Sequence, residues 1–445
     1  MKYLLSLYLL VSCLACSQAS ETSKPNIIIL FIDDYGWSDV GYRNSHFQTP
    51  NLNQLKAEGM EFTRAYVPTP TCSPSRASLL TGKEAIRLEM PRHIPNENPD
   101  GSNTSKYSYW ETDPSQTPSI NWLPLEEVTY AESLRDGGYS NYLIGKWHLG
   151  HEPFHPIHQG FLEQYGTSNF GHPKSYYPPY FKNSSVLVDA PEDSYLTDIL
   201  TDKAVDFLEN YDQEKPFQLS FWYYNVHGPH EGPKELLQKY LDQGLPKAEA
   251  NYAAMVEAMD ASVGRIRQAV EQNGLADNTV ILLISDQGGL FSNAPLSGGK
   301  RGGDTLGEGG ARVPFIAWYP QMIKAGAVYD EPIQTIDVYP TLMELAGIKG
   351  KPASQYNGIS LLPAMKGGVL PERNLFFYRA YEDQYAAIIR GPWKLKKYRS
   401  GKMELYNIEE DISEQTDLME SNREMATSLG EALSAWEADA VPFNQ

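Results

Sequence analysis

The sequence predicts an α/β protein in which a large, mainly parallel mixed sheet lies between helices, followed by a smaller C-terminal α+β subdomain. Three observations support this prediction. Four short apolar runs have the length and composition of buried parallel strands, helical patterns separate them, and shorter strand-like runs follow near the C-terminus. The chain has 445 residues, enough for one large domain with an accessory unit.

Each of the four apolar runs leads directly into polar side chains. The runs are NIIILFI before Asp33 and Asp34, NYLI before GKWHLG, FQLSFWYYNV before His227, and TVILLIS before Asp286 and Gln287. Ligands of open α/β sheets bind beyond the carboxyl ends of the strands. We therefore expect these polar side chains to share one site.

Helical patterns connect the strands, in TYAESLRDGGY and in NYAAMVEAMDASVGRIRQAVEQNG, which ends at a C-cap-like Gly274. Near the C-terminus, NLFFYRAY, YAAIIRG, WKLKKYR and MELYNI have the pattern of short antiparallel strands, and a helix over Asn422 to Ala438 follows them. We assign residues 25–368 to the main domain and residues 369–445 to the C-terminal subdomain.

The N-terminus has the pattern of a secretory signal. Lys2 precedes an apolar run, Tyr3 to Val11, that is too short to span a bilayer. In LVSCLACS, Cys13 fits the bacterial lipoprotein pattern better, whereas Cys16 gives a signal of more ordinary length; an ordinary cleaved signal is the alternative. We predict a signal over residues 1–16, a tether over residues 17–24, and an exported periplasmic or outer-membrane lipoprotein of a Gram-negative bacterium.

The net charge of −19 disfavours nucleic acid as the main partner. An anionic substrate would require positive charge to be concentrated in a pocket. Of the three cysteines, only Cys72 lies beyond the predicted signal, which excludes a disulfide framework within the folded body.

Cys72 lies in TCSPSRASLLTG, at the predicted start of a helix. Pro74 suits the first turn of that helix, and the helix N-terminus favours negative charge. Arg76 adds a planar set of donors suited to a tetrahedral oxyanion. On these residues alone, Cys72 could be a thiol nucleophile with a low pKa.

Carboxylates at two strand ends suggest a metal site. In isolation, Asp33 and Asp34 would more often form a turn or a helix cap. Combined with Asp286 and Gln287, they form an all-oxygen cluster suited to Ca²⁺ or Mg²⁺.

The CSPSR segment with ASLLTG resembles the signature of the type I sulfatases, in the alkaline phosphatase superfamily. In that family the cysteine of C-x-P-S-R becomes Cα-formylglycine. The resemblance extends over nearly all of the mature chain, through PNIIILFIDD, GKWHLG, EGGARVPF, TIDVYPTL, IIRGPWKL and ELYNI. It implies an alkaline-phosphatase-like fold, hydrolysis of sulfate esters, and a formylglycine-generating enzyme as maturation partner.

The resemblance also implies roles for the site residues. The positions matching Asp33, Asp34, Asp286 and Gln287 bind one divalent cation, usually calcium. The family commonly has Asn or His at the last position, and the longer Gln287 can still offer a carbonyl oxygen.

The catalytic candidates follow from the same resemblance. Lys146 and His148, two apart on a segment expected to be extended, are expected to face one pocket. Lys300 precedes the E-G-G motif, and His227 matches the H-x-P histidine, with His230 as its competitor.

In the implied mechanism, Arg76, Lys146 and Lys300 hold the sulfate oxygens. His227, with Lys300, protonates the departing alcohol. His148 takes the proton of the second hydroxyl on residue 72, so that sulfate is expelled.

Export suggests a sulfated carbohydrate as the substrate. Candidate substrate contacts are Arg92, His93, His230, Arg301 and Asp304; further candidates around the pocket are Lys83, Arg87, Trp110, Trp122, His151, His155 and His158. Two alternatives remain open at this point. One is a phosphonate or phosphate ester hydrolase of the same superfamily, and the other is a non-catalytic lipoprotein that binds sulfated glycan.

Overall fold

The computed structural model describes residues 24–111, 113, 116–181, 184–187, 189–301, 304–379 and 384–441. The predicted signal, with Cys13 and Cys16, lies outside the described residues, as does nearly all of the predicted tether.

Strands and helices alternate along most of the described chain. The strands are β1 (Asn26–Ile32), β2 (Met60–Phe62), β3 (Ala65–Tyr66), β4 (Tyr107–Ser108), β5 (Ser119–Ile120), β6 (Ser140–Gly145), β7 (Glu163–Tyr165), β8 (Phe217–Trp222), β9 (Thr279–Ser285), β10 (Arg312–Val313), β11 (Phe315–Trp318), β12 (Ala327–Tyr329), β13 (Ile333–Gln334), β14 (Leu375–Tyr378), β15 (Gln384–Arg390), β16 (Trp393–Tyr398) and β17 (Met403–Asn407). The α-helices are α1 (Pro50–Glu58), α2 (Cys72–Thr81), α3 (Tyr130–Asp136), α4 (Leu196–Glu209), α5 (Lys234–Asp242), α6 (Lys247–Gln272), α7 (Glu308–Ala311), α8 (Val338–Leu345), α9 (Leu362–Met365) and α10 (Arg423–Ala440).

The main sheet has the strand order β12-β2-β11-β9-β1-β8-β6-β7. The five strands from β9 to the edge strand β7 are parallel, whereas β11 runs antiparallel to both β9 and β2. The two central strands β1 and β9 are buried along their whole length. Their continuous apolar sequences reflect this burial, because helices cover both faces of a parallel sheet.

Alternate residues of β1 pack into two different cores. Ile27, Ile29 and Phe31 face a core that includes residues of α2, α3 and α8. Ile28 and Leu30 face the opposite core, with residues of α1, α4 and α6. The sheet is therefore the middle layer of three, as the sequence predicts.

The predicted C-terminal subdomain is an antiparallel sheet, β14-β15-β16-β17, with α10 against one face. On the other face, Phe377 and Ile389 pack with Tyr66 and Leu306 of the main domain. The fold class predicted from the sequence is therefore confirmed. Among the described helices, none has the length and apolarity needed to cross a membrane.

Candidate active site

The carboxyl ends of β1, β6, β8 and β9 bring the expected polar side chains to one edge of the sheet. Asp33 and Asp286 follow the neighbouring strands β1 and β9, and the backbone N–H of Asp34 donates to Asp286 Oδ1 at 3.1 Å. Lys146 follows β6, and its ammonium contacts Asp33 Oδ2. The three aspartates and Lys146 are buried.

Cys72 is the first residue of α2 and is buried. Its thiol donates to Asp33 Oδ1 at 3.7 Å and accepts a hydrogen bond from Gln287 Nε2 at 3.2 Å. Burial raises the pKa of the Cys72 thiol to about 12, and Asp33 and Asp286 also raise it, although Lys146 opposes them. The raised pKa, which is due first to burial, argues against the interpretation of Cys72 as a thiol with a low pKa.

Arg76 is fully buried one turn further along α2. Its Nε and Nη2 donate to Asp286 Oδ2 at 3.1 and 2.8 Å, and Nη1 donates to the Lys146 carbonyl at 3.2 Å. These donors contact protein groups, as the ammonium groups of Lys146 and Lys300 also do, and the role of all three side chains in holding sulfate oxygens stays a prediction. The Arg76 side chain therefore holds the Asp286 carboxylate and the backbone segment that carries Lys146.

Each of the three aspartates contacts a different positively charged side chain. Lys146 contacts Asp33, Lys300 contacts Asp34, and Arg76 contacts Asp286. Burial opposes ionisation of Asp34, but Lys300, His227 and Lys146 outweigh it and hold its pKa below the usual range. Burial and Asp286 raise the pKa of Asp33.

His148 is buried with a defined tautomer. Its Nε2 lies 2.8 Å from the Ile94 carbonyl and donates to it, which leaves Nδ1 as the bare nitrogen; among the described residues Nδ1 has no hydrogen-bond partner. Burial and Lys146 hold the pKa of His148 well below its usual value. The expected extended backbone is wrong here, because β6 ends at Gly145 and His148 has φ of 56°.

His227 faces the second aspartate. Its Nδ1 donates to the Gly228 carbonyl at 2.8 Å, and its Nε2 lies 3.6 Å from Asp34 Oδ2. Burial holds the pKa of His227 well below its usual value, and Asp34 opposes this only in part. The imidazole of His172 stacks on that of His227, with ring centres 5.2 Å apart and planes 9° from parallel.

Gly171 and His172, next to one another on a single loop, contact the two candidate histidines His148 and His227. His172 stacks on His227, and Gly171 lies against His148, where an added Cβ would come within 2.7 Å of Cε1. His172 was not predicted from the sequence. It belongs to no motif, and only tertiary packing places it beside His227.

A cavity of about 660 Å³ opens over these groups. It is lined by Thr71, Cys72, Pro91, Arg92, His93, Ile94, Pro95, Asn96, His148, Gly171, His172, His227, Gln287, Lys300, Arg301, Thr305 and Arg379. The expected substrate contacts Arg92, His93 and Arg301 are among these residues. Arg379 was missed because it comes from the C-terminal sheet, at the end of β14.

His230, Asp304 and the remaining candidates are not among the described residues that line this cavity, and their contact with substrate stays a prediction. His230 packs on Tyr252 and Phe291, and Asp304 pairs with Lys396 of β16 at 3.4 Å. The remaining candidate side chains contact other protein groups: Lys83 contacts Glu127, Arg87 contacts Glu84 and Asp439, Trp122 packs on Phe154 and His151, His155 contacts Gln164, His158 contacts Glu152, and Trp110 packs edge-on against His93.

The oxygen cluster fits a hard divalent cation. Ligand atoms of Asp33, Asp286 and residue 72 lie within 4.8 Å of one another, and so do those of Asp34, His227 and residue 72. Burial, and after it the Asp286 carboxylate, raises the pKa of Asp33, and a bound cation would favour its ionised form. The amide nitrogen of Gln287 contacts Asp34, so a half-turn of this amide would be needed to offer its oxygen.

The fold and the site define a hydrolase of the alkaline phosphatase-like fold, and comparison with known proteins gives the family. The sulfatase family model matches residues 25–348, and the model described as N-sulphoglucosamine sulphohydrolase, C-terminal, matches residues 305–438. The chain belongs to the sulfatase family and is a sulfuric ester hydrolase, which sets aside the non-catalytic interpretation.

Curated relatives and solved structures agree with this assignment. N-acetylgalactosamine-6-sulfatase of Mus musculus is 32% identical over 415 residues, covering 87% of this chain and 75% of the relative. Arylsulfatase A of Homo sapiens is 32% identical over 417 residues, covering 84% of this chain and 74% of the relative. The crystal structure of Ps i-CgsB is 30% identical, covers 95% of this chain and 94% of that one, and superposes with a TM-score of 0.82.

The phosphonate monoester hydrolase of Agrobacterium radiobacter has a TM-score of 0.63 at 19% identity, covering 94% of this chain and 96% of that one. At this level of identity, the similarity shows that the two proteins share a fold and does not show a shared activity.

Proposed function

We propose that this sulfatase acts on a sulfated saccharide or oligosaccharide, using formylglycine made from Cys72 and one divalent cation. The observation that carries the proposal is the environment of Cys72. The residue is buried beside Asp33 and Gln287, and its raised pKa makes the unmodified thiol a poor nucleophile. Oxidation of Cys72 to an aldehyde replaces this poorly nucleophilic thiol, because the hydrate of the aldehyde reacts through its hydroxyl groups.

The hydrate supplies two hydroxyl groups on one carbon. One attacks sulfur, and the other allows the aldehyde to re-form and expel sulfate. A serine or an unmodified cysteine at position 72 lacks the second hydroxyl and would stop as the sulfated enzyme. This difference is the chemical reason for modifying the residue.

His148 is the base that takes the proton from the second hydroxyl. Because Nε2 donates to the Ile94 carbonyl, the lone pair lies on Nδ1. The lowered pKa keeps the ring neutral and ready to accept that proton. Ile94 also connects His148 to α2, the helix that begins at Cys72, because the backbone N–H of Ile94 donates to Ser73 Oγ at 3.0 Å.

His227 is the acid that protonates the departing sugar alcohol. Its Nδ1 is committed to the Gly228 carbonyl, so the proton must leave from Nε2, on the side of Asp34. Burial holds the pKa of His227 well below its usual value and Asp34 offsets this only in part, so the free ring is neutral and must take up a proton at Nε2 before it can act as the acid. The ammonium groups of Lys300 and Lys146, beside Asp34 and Asp33, bind the sulfate oxygens.

Asp33, Asp34 and Asp286 would hold the cation, with Gln287 as a further ligand once its amide has turned. Calcium fits this oxygen donor set, with magnesium as the alternative. When bound, the ion supplies positive charge that stabilises an oxyanion and polarises the ester.

The substrate class is supported by the names of similar proteins. One neighbour at 30% identity is described as Ps i-CgsB in complex with k-i-k-neocarrahexaose, with a TM-score of 0.81 and coverage of 95% of this chain and 94% of that one. The curated relatives include N-acetylgalactosamine-6-sulfatases. We therefore place the scissile sulfate on a sugar ring.

We also propose that the protein is exported and lipid-anchored, as a periplasmic or outer-membrane lipoprotein of a Gram-negative bacterium, on the basis of residues 1–24. Maturation would require a formylglycine-generating enzyme. Metabolic labelling with a fatty acid, compared between the wild type and the variants Cys13→Ala and Cys16→Ala, identifies the lipidated cysteine. Absence of label from all three proteins would contradict the anchor.

Sulfate release from a panel of defined sulfated mono- and oligosaccharides tests the proposed activity. The protein is produced together with a formylglycine-generating enzyme, and Cys72→Ala serves as the control. We expect turnover of at least one sugar sulfate by the wild type and none by the variant. Release of phosphate but not sulfate from matched esters would favour the phosphoester alternative.

A further inference from the structure

The loop that carries Lys300 is attached to the C-terminal subdomain at both of its ends. This segment, here called the Lys300 loop, begins at Ser297, beyond β9, and ends at Glu308, the first residue of α7. The Ser297 hydroxyl donates to Glu414 Oε2, and the backbone N–H of Glu308 donates to the same oxygen at 2.7 Å. One carboxylate oxygen of the C-terminal subdomain therefore holds the two ends of the loop together.

Glu414 has a buried side chain and an unusual backbone conformation. It lies between β17 and α10, and its φ of 51° is in the left-handed region, which a glutamate rarely adopts. Such a conformation persists only where surrounding contacts stabilise it, and it occurs most often at functional sites. The contacts of the Glu414 carboxylate therefore suggest what this backbone is used for.

Two lysines of β16 keep the Glu414 carboxylate ionised. The ammonium groups of Lys394 and Lys396 lie 3.2 and 3.4 Å from Glu414 Oε1, the oxygen that does not contact the loop. Burial opposes ionisation of Glu414, but the two lysines outweigh it and hold its pKa below the usual range. Because hydrogen bonds to an ionised carboxylate are stronger than those to a neutral group, the loop is held firmly.

A second set of contacts lies next to Lys300 itself. Lys396 also pairs with Asp304 at 3.4 Å. The Asp304 carbonyl accepts the backbone N–H of Gly299 at 3.2 Å, and the backbone N–H of Lys300 donates to the Gly289 carbonyl at 3.0 Å. The C-terminal sheet therefore supports the loop at its ends and beside the residue that enters the active site.

We infer that Glu414 is a positioning residue of this sulfatase, which holds the Lys300 loop in the arrangement that directs the Lys300 ammonium to Asp34 and the scissile sulfate. The inference rests on the proposed role of Lys300 in binding sulfate oxygens and deepens it. A purely structural role of Glu414 predicts only a loss of stability when it is replaced. A positioning role also predicts a loss of activity that depends on Lys300.

Hydrogen exchange tests the support of the loop without requiring turnover. The wild type is compared with Glu414→Gln and with the matched control Glu437→Gln. Glu437 is a buried carboxylate on α10 that pairs with Lys397 of β16, and it contacts no described residue of the Lys300 loop. We expect roughly tenfold or faster exchange of the Gly299 and Lys300 amides in Glu414→Gln alone, with exchange in β1 and β9 unchanged.

Kinetics test whether the effect on activity depends on Lys300. The substrate is an aryl sulfate, because its good leaving group keeps slow variants measurable. Glu414→Gln should lower kcat/KM by roughly tenfold or more, since misplacing a binding group by about 1 Å can cost about 10²-fold. In the Lys300→Ala background the same replacement should cost less than about twofold, because the side chain that Glu414 positions is no longer there.

Ser297→Ala tests the same contact from the side of the loop and leaves Lys394 and Lys396 paired with Glu414. We expect exchange of the Gly299 amide to accelerate and kcat/KM to fall by roughly three- to tenfold, as loss of one hydrogen bond to a charged group would cause. This milder variant applies the test even if Glu414→Gln does not fold.

Unchanged exchange in the Lys300 loop, or the same kinetic cost of Glu414→Gln with and without Lys300, would overturn the inference and leave the sulfatase proposal intact. Exchange that accelerates equally in β1 and β9 would also overturn it, because it would show a general loss of stability. If formylglycine-containing wild type released sulfate from no ester, the proposed function would fail, and the exchange comparison would still test the contacts of Glu414.

Discussion

Replacing His227 by alanine should slow hydrolysis of a sugar sulfate far more than hydrolysis of an aryl sulfate. The imidazole lies at the cavity wall with Nε2 3.6 Å from Asp34 Oδ2, and its Nδ1 is held by the Gly228 carbonyl. Nε2 is thus the one ring nitrogen available to protonate a leaving group. A sugar alkoxide needs that proton, whereas a nitrophenolate leaves readily without it.

The size of the effect follows from the role of the residue. A positioned general acid contributes about 10²- to 10⁴-fold to a rate. Loss of His227 also removes a contact of Asp34, but this damage is common to both substrates. The ratio of kcat/KM for sugar sulfate to that for aryl sulfate therefore isolates proton transfer, and we expect it to fall by about 10²-fold or more.

The assay measures sulfate release from both substrates by fully matured wild type, His227→Ala and His46→Ala. His46 is an exposed matched control, and we expect its replacement to leave the ratio unchanged. An equal loss on both substrates would refute the role of His227 as acid and make it a residue that only positions Asp34.

Three further predictions concern the cation, the base and the fold. Dialysis against a chelator should abolish turnover, and calcium or magnesium should restore it; full activity of a demonstrably metal-free protein would exclude the cation site. Burial lowers the pKa of His148 well below 6.5, so the imidazole stays neutral as the pH falls. In a profile of kcat against pH, we therefore expect the decrease on the acid side to occur below pH 6.5. A decrease at or above pH 6.5 would show that another group is the base. Lys394 is 1% exposed and pairs with Glu308 at 2.9 Å and Glu414 at 3.2 Å, so Lys394→Met should lower the free energy of unfolding. We expect a loss of about 3 kcal/mol, at the low end for a broken buried pair because Lys396 and Arg312 remain close by. Denaturant unfolding measures this loss against the exposed control Lys402→Met, and equal stability of the two variants would show that Lys394 contributes little.

The sequence was most informative where burial was complete. The apolar runs Asn26–Ile32 and Thr279–Ser285 became strands with the predicted bounds, because strands buried on both faces leave a continuous apolar pattern. The apolar run FQLSFWYYNV before His227 predicted the end of its strand less well, because β8 ends at Trp222. Tyr223 and Tyr224 continue the apolar pattern because they fill the core, although they lie beyond the strand.

The site was predictable wherever a motif marked it. Asp33, Cys72 and Asp286 lie at strand or helix ends that the pattern identified, and the structure brings them together. His172 and Arg379 carry no local signal, since the loop before Pro173 and the C-terminal sheet reach the cavity only through tertiary packing. The left-handed backbone of His148 was likewise invisible, because the sequence pattern gave no sign of a positive φ there.

The chemical state of residue 72 tests the central claim most directly. Peptide mass spectrometry gives the fraction of Cys72 converted to formylglycine in preparations matured to different extents, and each preparation is assayed for release of sulfate. We predict that specific activity rises in proportion to that fraction and extrapolates to zero for the pure thiol. Full activity in a preparation that retains only the thiol would contradict the account.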